Sequence, residues 1–347
     1  MLAEVRSVGL VLLSLLVAGL PARAEPTTLR FATAAPDGTA WARLFKNMAA
    51  DVAAESNGEL ALKWYFGSIA GNEMEMLDRM KRGQLDGVLS GGMMCMRLAP
   101  TMRVLRLLSL IQNREEAAYV ISKLRPTVDA EFAKSGYQNM GEGGLGSDIL
   151  FTRTPVRSLA DLRKLRVWVW DLDEPMRAQL QALGVPIVAL PVEEASRAYE
   201  DHRIDGFLAV PAAALAFQWS TQTQYMSQLR VGFLSGCLIV TNRAFDALPV
   251  NVRRALQTST AKLEARIELL GHTQDAELVD RLFAKQGLKT VPVSEAFTSE
   301  FFDSARNIRD QLPSELIPAE LIHRVFAWLA DYRAEHLNRD GRAPAQP

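Results

Sequence analysis

Short apolar runs alternate with longer amphipathic ones along most of the chain. Leu29–Ala34 (LRFATA), Leu60–Phe66 (LALKWYF) and Leu85–Leu89 read as strands. Between them, Trp41–Ser56 carries Leu44, Met48, Val52 and Ala53 at helical spacing, and Glu73–Arg82 carries Met74, Leu77 and Met80 on one side. The rhythm returns in the second half. Leu165–Trp170 (LRVWVW), Val185–Leu190 and Ile204–Ala209 read as strands, and Pro175–Leu183 and Glu193–Asp201 read as helices. Such alternation predicts α/β units with mostly parallel strands. Two corresponding pieces look alike: Gly83–Gly87 (GQLDG) ends the first unit and His202–Gly206 (HRIDG) the second. Two similar lobes with a cleft between them are expected.

From Val250 to about Gln286 the pattern is helical, with apolar residues at Val252, Leu256, Leu263, Ile267, Leu270, Leu278 and Leu282. A helix of that length spans roughly 50 Å at about 1.5 Å per residue. That exceeds one small domain, so it is expected to run along both lobes. Glu315–Asn338 reads as a last helix and Asp340–Pro347 as a frayed tail.

The first residues read as a targeting segment. Arg6 precedes the apolar run Val8–Leu20, and Ala22-Arg23-Ala24 places small residues where a signal peptidase reads them. The run is short of the roughly 18 residues a membrane span needs. Residues 1–24 are therefore expected to be a cleaved signal peptide and the mature protein to lie outside the cytoplasmic membrane. Removing Arg6, Arg23 and Glu4 leaves 37 basic against 39 acidic side chains. That balance argues against nucleic acid, which needs a dense basic footprint.

Catalytic motifs are nearly absent. The four histidines, His202, His272, His323 and His336, are far apart in sequence, and the chain contains no HExxH, no GxSxG and no P-loop. No zinc spacing exists, and no cofactor or metal is expected. Gly141–Gly146 (GEGGLG) fits GxGxxG formally, but a dinucleotide site needs a helix to begin there. Ile149-Leu-Phe-Thr follows and reads as a strand, so a flexible glycine-rich crossing between lobes is the better account. Cys95 and Cys237 are either one bridge or two separate thiols. Gly91–Met96 (GGMMCM) sets adaptable apolar side chains after a strand end, as core or as cleft lining. Trp168 and Trp170 share one face of a strand, again either core or the wall of an aromatic site.

Phe66–Asp86 (FGSIAGNEMEMLDRMKRGQLD) resembles the signature of TRAP-transporter solute-binding proteins of the DctP type. Further similarities follow in family order: Thr154–Leu162 (TPVRSLADL), Ala182–Pro186 (ALGVP), Ile204-Asp205-Gly206, and Asn242–Pro249 (NRAFDALP) before the long helix. The resemblance covers most of residues 28–290. It implies a fold of class α/β, the two-lobed periplasmic binding protein fold with hinge strands and a long helix spanning both lobes. The expected division is lobe I at 25–145 with 224–249, lobe II at 146–223 with 250–312, and a C-terminal helix and tail at 313–347. It also implies a receptor, not an enzyme, that hands a small molecule to TRAP membrane permease subunits.

Most members of the family resembled hold an organic acid through an arginine, whose fork matches two carboxylate oxygens. This sequence departs from that pattern. Alignment on Asp161-Leu162 sets Trp168 at the carboxylate-binding position; Arg166 falls two residues earlier. A second arginine position falls on Ser147 or Asp148, and an asparagine position near Ala209. The Val167–Trp170 pattern with Gln218-Trp219 is similar to a branch found with TPR-type partner proteins. The expected ligand is therefore small and largely apolar or aromatic, held by Trp168, Trp170, Phe207, Ala209, Trp219 and Met93. Glu73, Ser90, Gly91 and Asp148 would orient it. Two alternatives stand beside this reading. One is a carboxylate ligand anchored by Arg166, Arg153 or Arg97; the other is a periplasmic docking module that binds solute weakly.

Overall fold

A computed structural model describes residues 25–340. The expected signal peptide at 1–24 and the tail beyond residue 340 lie outside the described residues. The chain begins lobe I with β1 (Thr27–Thr33), α1 (Ala40–Glu55), β2 (Leu60–Phe66), α2 (Glu73–Lys81) and β3 (Gly87–Ser90). Then come α3 (Met93–Leu98), a 3₁₀ segment (Pro100–Arg106) and α4 (Arg114–Lys134). The long strand β4 (Tyr137–Thr152) crosses to lobe II. There α5 (Leu159–Leu162), β5 (Val167–Trp170), α6 (Glu174–Ala182), β6 (Ile187–Leu190), α7 (Val192–Glu200) and β7 (Gly206–Ala209) follow. The short α8 (Pro211–Ala216), α9 (Trp219–Gln222) and β8 (Tyr225–Ser227) lead into β9 (Gly232–Thr241), the return crossing.

Strand order is β2-β1-β3-β9-β4-β7-β5-β6. β1 pairs parallel with β2 and β3, and β5 pairs parallel with β6 and β7. The two lobes thus repeat one topology on either side of the antiparallel crossing pair β9 and β4. The glycine-rich segment at 141–146 lies inside β4. It is a crossing between the lobes, as expected, but a strand rather than a flexible segment, because β9 hydrogen-bonds along it, with irregularities at Asn139/Gly141 and Gly144/Gly146. No helix begins there, as the strand reading of Ile149-Leu-Phe-Thr anticipated.

The repeated Asp-Gly pairs have a structural cause. In lobe I, the Arg30 backbone N–H and Nε both donate to Asp86 Oδ2, at 2.9 and 2.8 Å, and Nη2 donates to Oδ1 at 3.0 Å. In lobe II, the Arg166 backbone N–H and Nε donate to Asp205 Oδ2 at 2.9 and 3.0 Å, and Nη2 to Oδ1 at 2.9 Å. Each clamp ties the first strand of its lobe to the start of the third with a bidentate fork. The glycine after each aspartate permits close packing. A Cβ on Gly206 would sit 2.5 Å from the Phe151 carbonyl oxygen, and one on Gly87 would collide with the Phe31 ring.

Beyond β9, α10 (Asn242–Asp246) precedes α11 (Val250–Glu277), which continues through a π-helical turn (Leu278–Leu282) into α12 (Phe283–Lys285). Val252, Leu256 and Leu263 join the lobe I core with Phe31 and Met48, whereas Leu278 and Phe283 join the lobe II core with Phe151 and Phe207. The long helix therefore runs along both lobes, as its length led us to expect. β10 (Lys289–Val291) extends lobe II through β8, and α13 (Glu295–Arg309) packs on α6. α14 (Ala319–Asp340) returns to lobe I, where Arg333 Nε donates to Glu116 Oε1 at 2.7 Å.

Cys95 on α3 and Cys237 on β9 form a disulfide, with Cα atoms 5.9 Å apart, which joins the helix after β3 to a crossing strand. Among the described residues, no helix is long and apolar enough to cross a membrane.

The two clamps differ in burial, and this sets their expected contributions. Asp86 is 8 % exposed at its side chain against 22 % for Asp205. Hydrogen bonds to charged groups contribute about 1.5–3 kcal/mol, least where solvent competes. Asp86→Ala should lower unfolding free energy by about 2–3 kcal/mol and Asp205→Ala by about 1 kcal/mol, measured by urea unfolding of the two variants.

Candidate functional site

A cavity lies where the carboxyl ends of the parallel strands from both lobes face each other. This is where α/β sheets usually hold ligands. Its lobe I wall comes from Thr33–Ala35 after β1, Trp41 and Phe45 on α1, and Leu89, Gly91 and Met93 around the end of β3. Its lobe II wall comes from Trp168–Trp170 on β5, Leu208–Val210 at the end of β7, and Phe217 and Trp219 beyond it. Ile267 of the long helix closes one side.

The aromatic wall is prepacked. Trp219 lies parallel to Phe207 with centroids 4.9 Å apart, and Phe217 stacks at 5.1 Å. Trp168 meets Trp219 at 4.9 Å with planes inclined by 58°. The Trp168 indole N–H donates to the Leu190 carbonyl at 3.0 Å, which fixes its rotamer. Offset and tilted packing suits rings whose faces and edges carry opposite partial charge. Phe207 is fully buried and backs Trp219 without lining the cavity.

Glu73 and Ser90 stand one layer behind the wall. A capping box starts α2 at this point: Asn72 Oδ1 accepts from the Met74 and Glu75 backbone N–H groups, and Glu75 Oε2 accepts from Asn72 N–H at 2.8 Å. Glu73, the first helical residue, is thereby turned toward the end of β3. Its buried carboxylate accepts from Ser90 Oγ–H at 2.6 Å, Gly91 N–H at 2.5 Å and Met94 N–H at 2.7 Å. Burial raises its pKa, and these donors oppose the rise. Glu73 thus fixes the turn that presents Gly91 and Met93 to the cavity.

The polar end of the cavity centres on Arg106, which is 4 % exposed. Its Nε and Nη2 donate to Asp173 Oδ2 at 3.1 and 2.5 Å. Nη1 donates to Asp148 Oδ2 at 2.5 Å and to the Phe233 carbonyl at 3.0 Å. Four segments meet here: the end of the 3₁₀ segment, β4, β9 and the N-cap of α6. Gln179 of α6 adds to the join by accepting from Leu108 N–H at 2.8 Å and donating to the Arg106 carbonyl at 3.0 Å. Burial works against the guanidinium charge, but Asp148 and Asp173 more than offset it, and the pKa of Arg106 is raised above its usual value. Burial also pushes Asp148 upward, with Arg106 opposing. Among the described residues lining the cavity, the ionisable groups are one cation, Arg106, and two carboxylates, Asp148 and Asp173.

The structure brings Trp168, Trp170, Ala209, Trp219, Met93, Gly91 and Asp148 to one cavity. It sets the three other arginines elsewhere. Arg166 is held by Asp205 on the outside of lobe II. Arg153 stacks on the Tyr199 ring at 3.6 Å and donates to the Tyr199 carbonyl. Arg97 lines a separate groove with Asp171 and Glu174. Sequence reading missed Arg106 and Asp173. A signal was present: Arg106 interrupts the apolar run Val104–Ile111, where a lone charge implies a buried partner.

A two-lobed α/β body with a cavity at the facing strand ends and two crossing strands is the architecture of a solute-binding protein. The chain belongs to the DctP family, the bacterial extracellular solute-binding proteins of family 7, which it matches over residues 31–315. It is similar to the 2,3-diketo-L-gulonate-binding periplasmic protein YiaO of Escherichia coli, 26 % identical over 59 % of this chain and 62 % of that relative's length. It is similar in structure to DctP7 of Bordetella pertussis, an extracytoplasmic solute receptor binding pyroglutamic acid. The TM-score is 0.78 at 19 % identity, covering 87 % of this chain and 99 % of that one. It is also similar to the sugar acid binding protein DctPAm of Advenella mimigardefordensis in complex with galactonate. There the TM-score is 0.82 at 15 % identity, covering 88 % and 99 %.

Removing one partner from a buried ion pair leaves the other uncompensated, at about 3–5 kcal/mol. Arg106→Met strands two buried carboxylates and should lower unfolding free energy by at least that amount. The check is a urea titration against the wild-type protein.

Proposed function

We propose that this protein is an exported periplasmic receptor that carries a small, largely apolar or aromatic ligand to TRAP permease subunits. It performs no catalysis in this reading, and a TPR-type periplasmic protein is a further candidate partner. Closure follows binding by a population shift between open and closed arrangements of the lobes. β4 and β9 are the segments on which that motion turns.

The single observation that carries the ligand class is the state of the cavity's cation. Arg106 already donates to two carboxylates and a carbonyl. The rest of the lining is dominated by tryptophan, phenylalanine and aliphatic side chains. A guanidinium so engaged has little to offer a carboxylate, and an anion would add a third negative charge to a dry site. An apolar ligand instead gains roughly 25 cal/mol for each Å² it buries against these walls.

A second reading is favoured by the relatives. Neighbours of the same fold bind gulonate, galactonate and pyroglutamic acid. A carboxylate here would require Arg106 to exchange Asp148 for the ligand. The lining supports the apolar reading over this one.

The test is to purify the mature protein from its native periplasm under gentle conditions, record a native mass spectrum, and identify what leaves with it. The expected result is a molecule of low oxygen content, with retention weakened at least tenfold in Trp168→Ala. A bound sugar acid that survives Trp168→Ala and is lost in Arg106→Gln would overturn the apolar reading in favour of the second.

A further inference from the structure

Asp148 has an oxygen without work. Its Oδ2 accepts from Arg106, but among the described residues Oδ1 accepts from no donor. The residue is 3 % exposed and lines the cavity. Oδ1 is not one of the interior polar atoms sealed from water-sized space without a partner. A carboxylate oxygen that opens on a cavity without a protein donor is met there by water or by a ligand.

The charges around it have one sign in excess. Asp148 and Asp173 outweigh Arg106, and the Glu73 carboxylate lies directly behind Gly91 at the cavity wall. Burial disfavours ionisation of Asp148, and a bound donor would relieve that cost. The remaining walls are tryptophan faces, which attract cations through their quadrupoles and tolerate neutral apolar groups.

We infer that the ligand carries a hydrogen-bond donor head, preferentially a protonated amine, which is received by Asp148 Oδ1 while its apolar body lies against Trp168, Trp170 and Trp219. The inference rests on the apolar-ligand reading above and adds a polarity to it: this cavity selects for a cation and against an anion. Asp148 is then the residue that determines specificity. Its bond to Arg106 positions Oδ1 and links the bound head to the join of β4, β9 and α6.

Four probes of nearly equal shape separate the possibilities: propylbenzene, 2-phenylethanol, 2-phenylethylamine and 3-phenylpropionate. Each is titrated into the ligand-free wild-type protein at neutral pH by calorimetry. Hydrogen bonds to a charged acceptor predict 2-phenylethylamine at about tenfold or more tighter than propylbenzene. The alcohol should fall between them and 3-phenylpropionate should be weakest. Asp148→Asn should bring the amine to within about twofold of the hydrocarbon, both measured on that variant. If propylbenzene binds but the amine gains nothing, or 3-phenylpropionate binds most tightly, the inference is overturned while the apolar cavity stands. If none of the four binds, the apolar reading and the inference fall together. The wild-type ranking decides even if Asp148→Asn does not fold.

Discussion

The ion knot of Arg106 with Asp148 and Asp173 is the constraint around which the rest is arranged. It gathers the end of a lobe I segment, both crossing strands and the cap of a lobe II helix at one guanidinium. A charge buried this deeply is tolerated only with its hydrogen bonds made and its partners fixed. The knot therefore couples two requirements. It holds the junction of the lobes together, and it commits the cavity's cation before any ligand arrives. The first is a matter of stability and the second of specificity, and the same three side chains serve both.

Around that junction, each lobe is stabilised by a device of its own. The arginine–aspartate clamps and the glycines that follow them repeat at equivalent places in the two strand sets. The disulfide binds α3 to β9, so the turn that presents Gly91 and Met93 is anchored covalently to a crossing strand. Glu73 anchors the same turn by hydrogen bonds from the other side. The apolar wall is thus presented on supports fixed from both sides.

Much of this was legible in the sequence, because strand and helix periods survive in the pattern of Leu29–Leu89 and again in Leu165–Ala209. The tandem Asp-Gly pairs announced the repeat, although their cause, a clamp to an arginine about 40 to 56 residues upstream, is a long-range contact that no local pattern carries. Trp168, Trp170 and Trp219 converge because β5 and β7 are neighbours in the sheet and the short helices α8 and α9 follow β7. Arg106 and Asp173 were not foreseen, since a buried pair 67 residues apart depends on how the crossing strands bring the lobes together. The π-helical turn at Leu278–Leu282 and the β4 irregularities also lack a local signature.

The central claim is that the cavity's guanidinium is already taken. It is tested most directly by a crystal structure of the mature protein grown at neutral pH with galactonate in large excess. The account predicts Arg106 still joined to Asp148 and Asp173, with no sugar acid between the lobes. A galactonate carboxylate seated on Arg106, with Asp148 turned away, would contradict it.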